Sequence, residues 1–347
     1  VYDNGTKVAT ATGLPNKEMV IKIENQKLWS PETPFLYDMK VELVSGSKVI
    51  DVVDTYFGMR KISTAKDENG AQRLMLNNKP YFHIGLLDQG WWPDGLLTPP
   101  SDQALVYDIE FAKKAGFNTL RKHIKQESDR FYYHCDRMGV LVWQDAVASK
   151  DTKWWSKSRV EPVLSEYESQ TFIHEFKNLV DQLFNFPCIY QWVIFNEGWG
   201  QHDTPNMINW ISYLDPSRLN SVSGWMDYGR GDICDIHRYT GPGKMDNAGG
   251  HRPLVLGEFG GLGYVVKDRV WPAKTTRVHY INAANIEQYV SDYERIFYQL
   301  RILKKQGLAG AIYTQITDVE GEINGLMTYD RKVIKMDIPR ISSANKK

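Results

Sequence analysis

Two glutamates occupy positions from which they could act together. The apolar run CIYQWVIF (188–195) ends in Asn196-Glu197, and PLVLG (253–257) ends in Glu258. A single Glu after an apolar strand more often opens a solvated loop. Two of them in one chain, flanked by Gly and aromatic residues in NEGWGQ and GEFGG, favour paired-carboxylate chemistry. Cleavage of a glycosidic bond with retention uses such a pair about 5–5.5 Å apart, one carboxyl protonating the leaving oxygen and the other attacking the anomeric carbon. Both side chains must then face each other from one rigid frame.

The rest of the chain predicts that frame. After about Thr64 the pattern repeats as strand, loop and helix. Ser101 predicts the N-cap of a helix whose Leu105, Ile109 and Ala112 share a face, with Gly116 closing it. Phe172, Phe176, Leu179 and Leu183 mark a second helix, and Ile286 through Leu303 a third that ends at Gly307. Strands are expected at YFHIGLL, FNTLRKHI, GVLVWQD, CIYQWVIFN, LNSVSGW, ICDIHRY, PLVLGEF and LAGAIYTQI. The alternation predicts an α/β fold, a (β/α)8 TIM barrel over residues 65–347, with Glu197 ending the fourth strand and Glu258 the seventh. The carboxyl ends of parallel strands share one face, so the two glutamates are expected to meet there. A doubly wound sheet is the competing fold, but the Gly-rich phosphate turn that marks it is not seen. The final DRKVIKMDIPRISSANKK reads as too short and irregular for a full last helix.

Residues 1–64 read differently, as short β runs broken by Gly, Pro and Asn, with Tyr37–Val44 alternating like a half-buried strand. They are expected to be part of an immunoglobulin-like β-sandwich preceding the barrel. The chain opens at Val1 without Met or signal peptide, in what reads as the middle of that domain, and an excised fragment is expected. The compartment is left undetermined, with periplasm and exterior both open.

Composition narrows the partners. Forty-two basic and forty-two acidic residues cancel, so no global field draws nucleic acid or an anionic membrane. No 18-residue apolar run exists to span a bilayer. Many of the eleven Trp sit in polar stretches such as QGWWPDG, which suits stacking on sugar rings as well as packing. Cys135, Cys188 and Cys234 fit no paired framework and are expected to be buried free thiols. His123, His237 and His251 raise a metal hydrolase as an alternative. The first strand, however, offers only a lone His83 and no H-x-H pair, so neither metal nor cofactor is expected.

The blocks FGMRKI, LNNKPYFHIGLLDQGWWPDG, FNTLRKHIK, VLVWQD, WVIFNEGWGQ, DIHRY, LGEFGG and TDVEGEINGLMTYDRK together resemble glycoside hydrolase family 2, which holds β-galactosidases, β-glucuronidases and β-mannosidases. In that family a sugar-binding jelly roll and an immunoglobulin-like domain precede the barrel, and the match here begins partway through the second. The resemblance implies a retaining exo-β-glycosidase acting on terminal β-linked sugars. Glu197 would be its general acid/base and Glu258 its nucleophile. It further implies Asn196 on the sugar 2-hydroxyl, Arg121 beside the nucleophile, and Tyr239 next to it. As acid, Glu197 is expected to have a raised pKa. The family's R-x-x-H-Y-P appears as R-K-H-I-K, with His123 two residues past Arg121, so the role of that His is not carried over. Asp88, Trp91, Trp143, Asp145, Gln201, Trp225, His237 and Gln315 lie at or just beyond strand ends and are expected to line the sugar pocket. The WQD block resembles β-mannosidases while others look closer to β-galactosidases, and the lean is to galactoside. A non-catalytic carbohydrate-binding protein or an inactive fragment is the alternative of another class; its mark would be loss of either Glu, and both are present.

Overall fold

The computed structural model describes residues 1–147, 161–223, 226–239, 241–245, 250–271 and 280–346. Its centre is an eight-stranded parallel sheet: β1 (His83–Asp88), β2 (Thr119–Lys122), β3 (Leu141–Asp145), β4 (Ile189–Val193), β5 (Leu219–Ser221), β6 (Cys234–Tyr239), β7 (Leu254–Gly260) and β8 (Gly310–Thr314). Each strand pairs with its sequence neighbour from β1 to β5 and from β6 to β8, and β8 returns to β1. A single parallel bridge, Ser221 to Ile233, joins the β5 and β6 edges, so the sheet closes as the expected TIM barrel.

Among the described residues six helices accompany the strands: α1 (Asp102–Lys114), α2 (Asp129–Met138), α3 (Glu166–Leu183), α4 (Thr204–Leu214), α5 (Ile286–Gln306) and α6 (Ile338–Lys346). Their ends follow local chemistry. Ser101 Oγ accepts the Ala104 amide at the start of α1, Ser165 and Glu168 form a reciprocal capping box on α3, and Asn285 caps α5. The predicted apolar stripes face the barrel: Leu105, Ile109 and Ala112 from α1, and Val290, Tyr293, Phe297 and Leu300 from α5, are all buried. The chain end does form a helix, the nine-residue α6. Buried Ile341 and Ala344 hold it in place, and Asn345 accepts the Tyr293 hydroxyl. Tertiary contact supplies what its weak local pattern lacks.

Ahead of the barrel lies a four-stranded antiparallel sheet built on the hairpin Tyr37–Ser45 and Lys48–Phe57. Only its base is packed: Tyr37 is buried with Val1 and Ile23, whereas Val41 and Leu43 are 48% and 45% exposed. The expected half-buried alternation thus stops after Met39, because no second sheet of the described residues covers that face. A three-stranded sheet (Ile62–Lys66, Gln72–Leu76, Lys79–Pro80) follows, and the expected boundary at 64/65 falls inside its first strand. It sits at the amino end of the barrel, where the Tyr190 hydroxyl bonds to Met75 O.

Asp136 ties these parts together. Its carboxylate accepts the Tyr56 hydroxyl at 2.9 Å and the Cys188 amide at 2.7 Å, while its carbonyl accepts the buried Trp29 indole N–H. Cys135, Cys188 and Cys234 are buried free thiols. No described helix is long and apolar enough to cross a membrane.

Burial pushes the Asp136 carboxyl up to about 7. The folded state therefore holds a proton there that the unfolded chain releases near pH 4, so this site's contribution is full below about pH 4 and is lost as pH rises through 7. The difference is up to about 4 kcal/mol. Asp136→Asn should abolish that slope, read from urea unfolding at pH 5 and pH 8; equal slopes in both proteins would contradict it.

Candidate active site

Strand alternation puts Arg121 and His123 on one face of the second strand and Lys122 on the other. Arg121 is fully buried at the carboxyl end of the barrel and spends all five of its N–H donors. Nε and Nη2 grip the two Asp145 oxygens at 3.0 Å each, Nη2 also reaches Asn196 Oδ1 at 3.0 Å, and Nη1 reaches Gly257 O at 3.1 Å and Glu258 Oε1 at 3.3 Å. One guanidinium from β2 thus fixes groups from β3, the loop after β4, and β7. Planar, rigid donors suit that task in a way a lysine ammonium does not.

Glu258 is held from its other oxygen by the Tyr239 hydroxyl, and Tyr239 stacks on Tyr280 with ring centroids 3.6 Å apart. Burial and the Glu258 charge keep the Tyr239 phenol protonated, so it donates. Gly257, just before Glu258, has no substitute: a Cβ there would overlap the Asp235 carboxylate.

Glu197 lies in the tight turn after β4 with φ +47, its amide bonded to Ser223 O at 2.7 Å. A non-glycine residue in the left-handed region is uncommon and carries a local cost, accepted here to turn the side chain inward. His237 Nδ1 stands 3.0 Å from Glu197 Oε1, and its Nε2 is 3.1 Å from Ser223 Oγ. Burial alone would lower the His237 pKa, but Glu258 and Glu197 raise it. Burial raises Glu197, yet the His237 hydrogen bond and the His237 and Arg121 charges outweigh it and hold the carboxyl below its usual range. The direction for Glu197 is thus the reverse of the expected raised pKa, because His237 stands against its carboxyl. One oxygen of Glu197, one of Glu258 and a His237 ring nitrogen all lie within 4.8 Å of one another. That spacing could suit a metal ion, but the Arg121 guanidinium already supplies the local positive charge.

The other expected residues divide. Asp145, Asn196, Tyr239 and His237 converge on Arg121 and the two glutamates. His123 joins them, its Nδ1 3.3 Å from Asp145 and 3.9 Å from Glu258, despite its unusual spacing. Asp88 pairs in register with Lys122, not Arg121, and is spent on the Lys122 ammonium at 2.6 Å. Trp143 is fully buried, two residues before Asp145 on the same strand face, its indole N–H on His83 Nδ1. It packs in the barrel interior beneath the pocket. Gln201 is also fully buried and braces the loops, donating to Glu161, Thr204 and the Met226 carbonyl. Gln315 is fully buried and clamps Glu322. Trp91 meets Trp271 edge-on at 6.4 Å. His251 is exposed and His83 sits in the core, so neither joins His123 and His237. Trp225 lies outside the described residues. Sequence reasoning missed Ser223, Tyr280, Gln89 and Glu322, which sit in loops with no motif spacing of their own.

Comparison with known proteins agrees with this geometry. Residues 2–60 match the model of glycosyl hydrolases family 2, and residues 74–245 match that family's TIM barrel domain. The chain belongs to glycosyl hydrolase family 2. Among curated relatives, a putative β-glucuronidase of Formosa agariphila is 29% identical over 223 residues, covering 62% of this chain and 20% of its own length. A β-galactosidase of Leuconostoc mesenteroides is 26% identical over 229 residues, covering 63% and 21%. The match thus spans about a fifth of each of these relatives. A β-galacturonidase from Eisenbergiella tayi, solved with galacturonate, superposes with TM-score 0.70 at 18% identity, over 92% of this chain and 59% of that one. At that identity the likeness concerns the fold.

The His237–Glu197 pair generates a test that needs no substrate. Nitrogen NMR should show His237 keeping its proton above the usual imidazole range, and Glu197→Gln should move its midpoint down. An unchanged midpoint would mean that Glu197 does not hold the proton there.

Proposed function

We propose that this protein is a retaining exo-β-glycosidase, with Glu258 as nucleophile and Glu197 as general acid/base. The observation that carries the reading is the approach of the two carboxyl groups to within 4.8 Å at one end of the barrel. That is close to the roughly 5–5.5 Å of retaining pairs and well short of the roughly 6.5–9.5 Å that admits a water in inverting ones. Family membership supports it as well.

In this reading the sugar enters at the open barrel end and C1 meets Glu258, whose oxygens are aimed by Arg121 and Tyr239. Asn196, its amide oxygen fixed on Arg121, has NH2 donors to offer the 2-hydroxyl, a contact that strengthens in the oxocarbenium-like transition state. Glu197 and His237 hold one mobile proton between them. A bound sugar expels water, and the low dielectric favours the neutral arrangement, with the proton on Glu197, over the separated charges. Glu197 then protonates the departing oxygen as the Glu258–C1 bond forms. In the second half-reaction Glu197 takes a proton from water, which attacks C1 and frees Glu258. Terminal β-galactosides are the substrates to try first.

On the full-length protein Glu258→Ala should abolish turnover of aryl β-glycosides, and added azide should give a glycosyl azide of inverted configuration. Glu197→Ala should lose roughly 10²–10⁴-fold on poor leaving groups, and azide should there give the retained product. Near-normal turnover by the Glu258 variant would remove it from the mechanism.

A further inference from the structure

A third carboxylate follows β8 at the same end of the barrel, within the TDVEGEINGLMTYDRK block, and the mechanism above does not use it. Glu322 follows β8 in a turn tied by reciprocal backbone bonds, Val319 N to Glu322 O at 3.0 Å and Glu322 N to Val319 O at 2.8 Å. Its Oε2 accepts Gln315 Nε2 at 2.5 Å and Gln89 Nε2 at 2.9 Å. The same two amide groups are locked elsewhere, Gln89 onto Gln315 Oε1 and Gln315 onto Asn324 Oδ1, both at 2.9 Å. All four amide hydrogens are thus spent, two of them on one carboxylate oxygen. The other oxygen accepts no hydrogen bond from the described residues.

Glu322 shares its surroundings with the reacting pair. Burial raises its pKa, the Gln315 and Gln89 hydrogen bonds and the His123 ring oppose this, and the Glu258 charge adds to the rise; Glu322 in turn raises the Tyr280 phenol that backs Tyr239. No Lys or Arg among the described residues pairs with it. The nearby cations are committed elsewhere: Arg121 to Asp145 and Glu258, Lys122 to Asp88 and Glu127, and Lys125 to Glu127. A pre-oriented carboxylate with one open oxygen and no lysine or arginine paired to it accepts a hydroxyl donor well. It meets a second carboxylate with like-charge repulsion in a poorly screened cavity.

We propose that Glu322 sorts the sugar, accepting a hydroxyl of a neutral pyranoside and turning away uronates, which carry a carboxylate on C5. The proposal rests on the glycosidase reading and narrows it. Family relatives act by name on both kinds of sugar, so the choice must be made by side chains such as this one rather than by the barrel.

The test compares wild type with Glu322→Gln in the full-length protein. Gln retains an oxygen for the two amide donors, so the fold should hold; melting temperature checks this, and Glu322→Ala provides a second variant. On nitrophenyl β-galactoside and β-galacturonide, wild type should prefer the neutral sugar. The variants should shift the kcat/KM ratio toward the uronide on the order of 10–100-fold. An unchanged ratio, or a wild type that prefers the uronide, overturns the proposal. If neither substrate is cleaved, the glycosidase reading has failed, and sorting is then decided by equilibrium binding of D-galactose and D-galacturonate. Selective binding of galactose that Glu322→Gln erases supports it; equal binding of both, or of neither, overturns it.

Discussion

A guanidinium buried without water must have every donor satisfied, and meeting that demand organises the open end of the barrel. Arg121 draws Asp145, Asn196, the Gly257 carbonyl and Glu258 to one point, from three different strands or strand ends. Each of these residues is placed by its own backbone, yet their mutual geometry is set by a planar fork whose hydrogens point in fixed directions. The positive charge also offsets the cost of gathering carboxylates in a low-dielectric cavity, which would otherwise repel one another. Two of them, Asp145 and Glu258, are almost wholly buried.

Around that fixed point the site divides labour by distance from the cation. Glu258 touches it directly and is further pinned by Tyr239. Glu197 lies farther out and answers instead to His237, which is a proton carrier as well as a charge. The two glutamates are alike in sequence context but differ in partner, and in the proposed mechanism that difference assigns one to attack and the other to proton exchange. Glu322, held by neutral amides alone, is the third variation on the same side chain: its charge is left to act on the ligand.

Much of this was legible along the chain because a strand has a period of two and parallel strands share an end. Those rules place Glu197 and Glu258 together and put Arg121 inward; His123, not carried over from the family pattern, joins them because it stands two residues past Arg121 and so shares its face. The same rules went wrong at the level of depth and register. Trp143 points inward as expected but lies a layer below the mouth. Asp88 sits opposite Lys122 and not Arg121. Gln201 is only four residues beyond Glu197, yet the turn carries it into a loop contact with Glu161 and Thr204.

The sequence by itself determined the barrel, the helix caps and the two carboxylates, since periodicity, capping chemistry and strand-terminal residues are local properties. The tertiary structure alone decided which groups Glu197 and Glu258 touch, that His237 pairs with Glu197, and that Gln89 and Gln315 hold one oxygen of Glu322. Several of these contacts join residues far apart in the chain, 40 positions for His237–Glu197 and 233 for Gln89–Glu322. Their energies depend on burial and on the sum of nearby charges, and neither quantity exists until the barrel has closed.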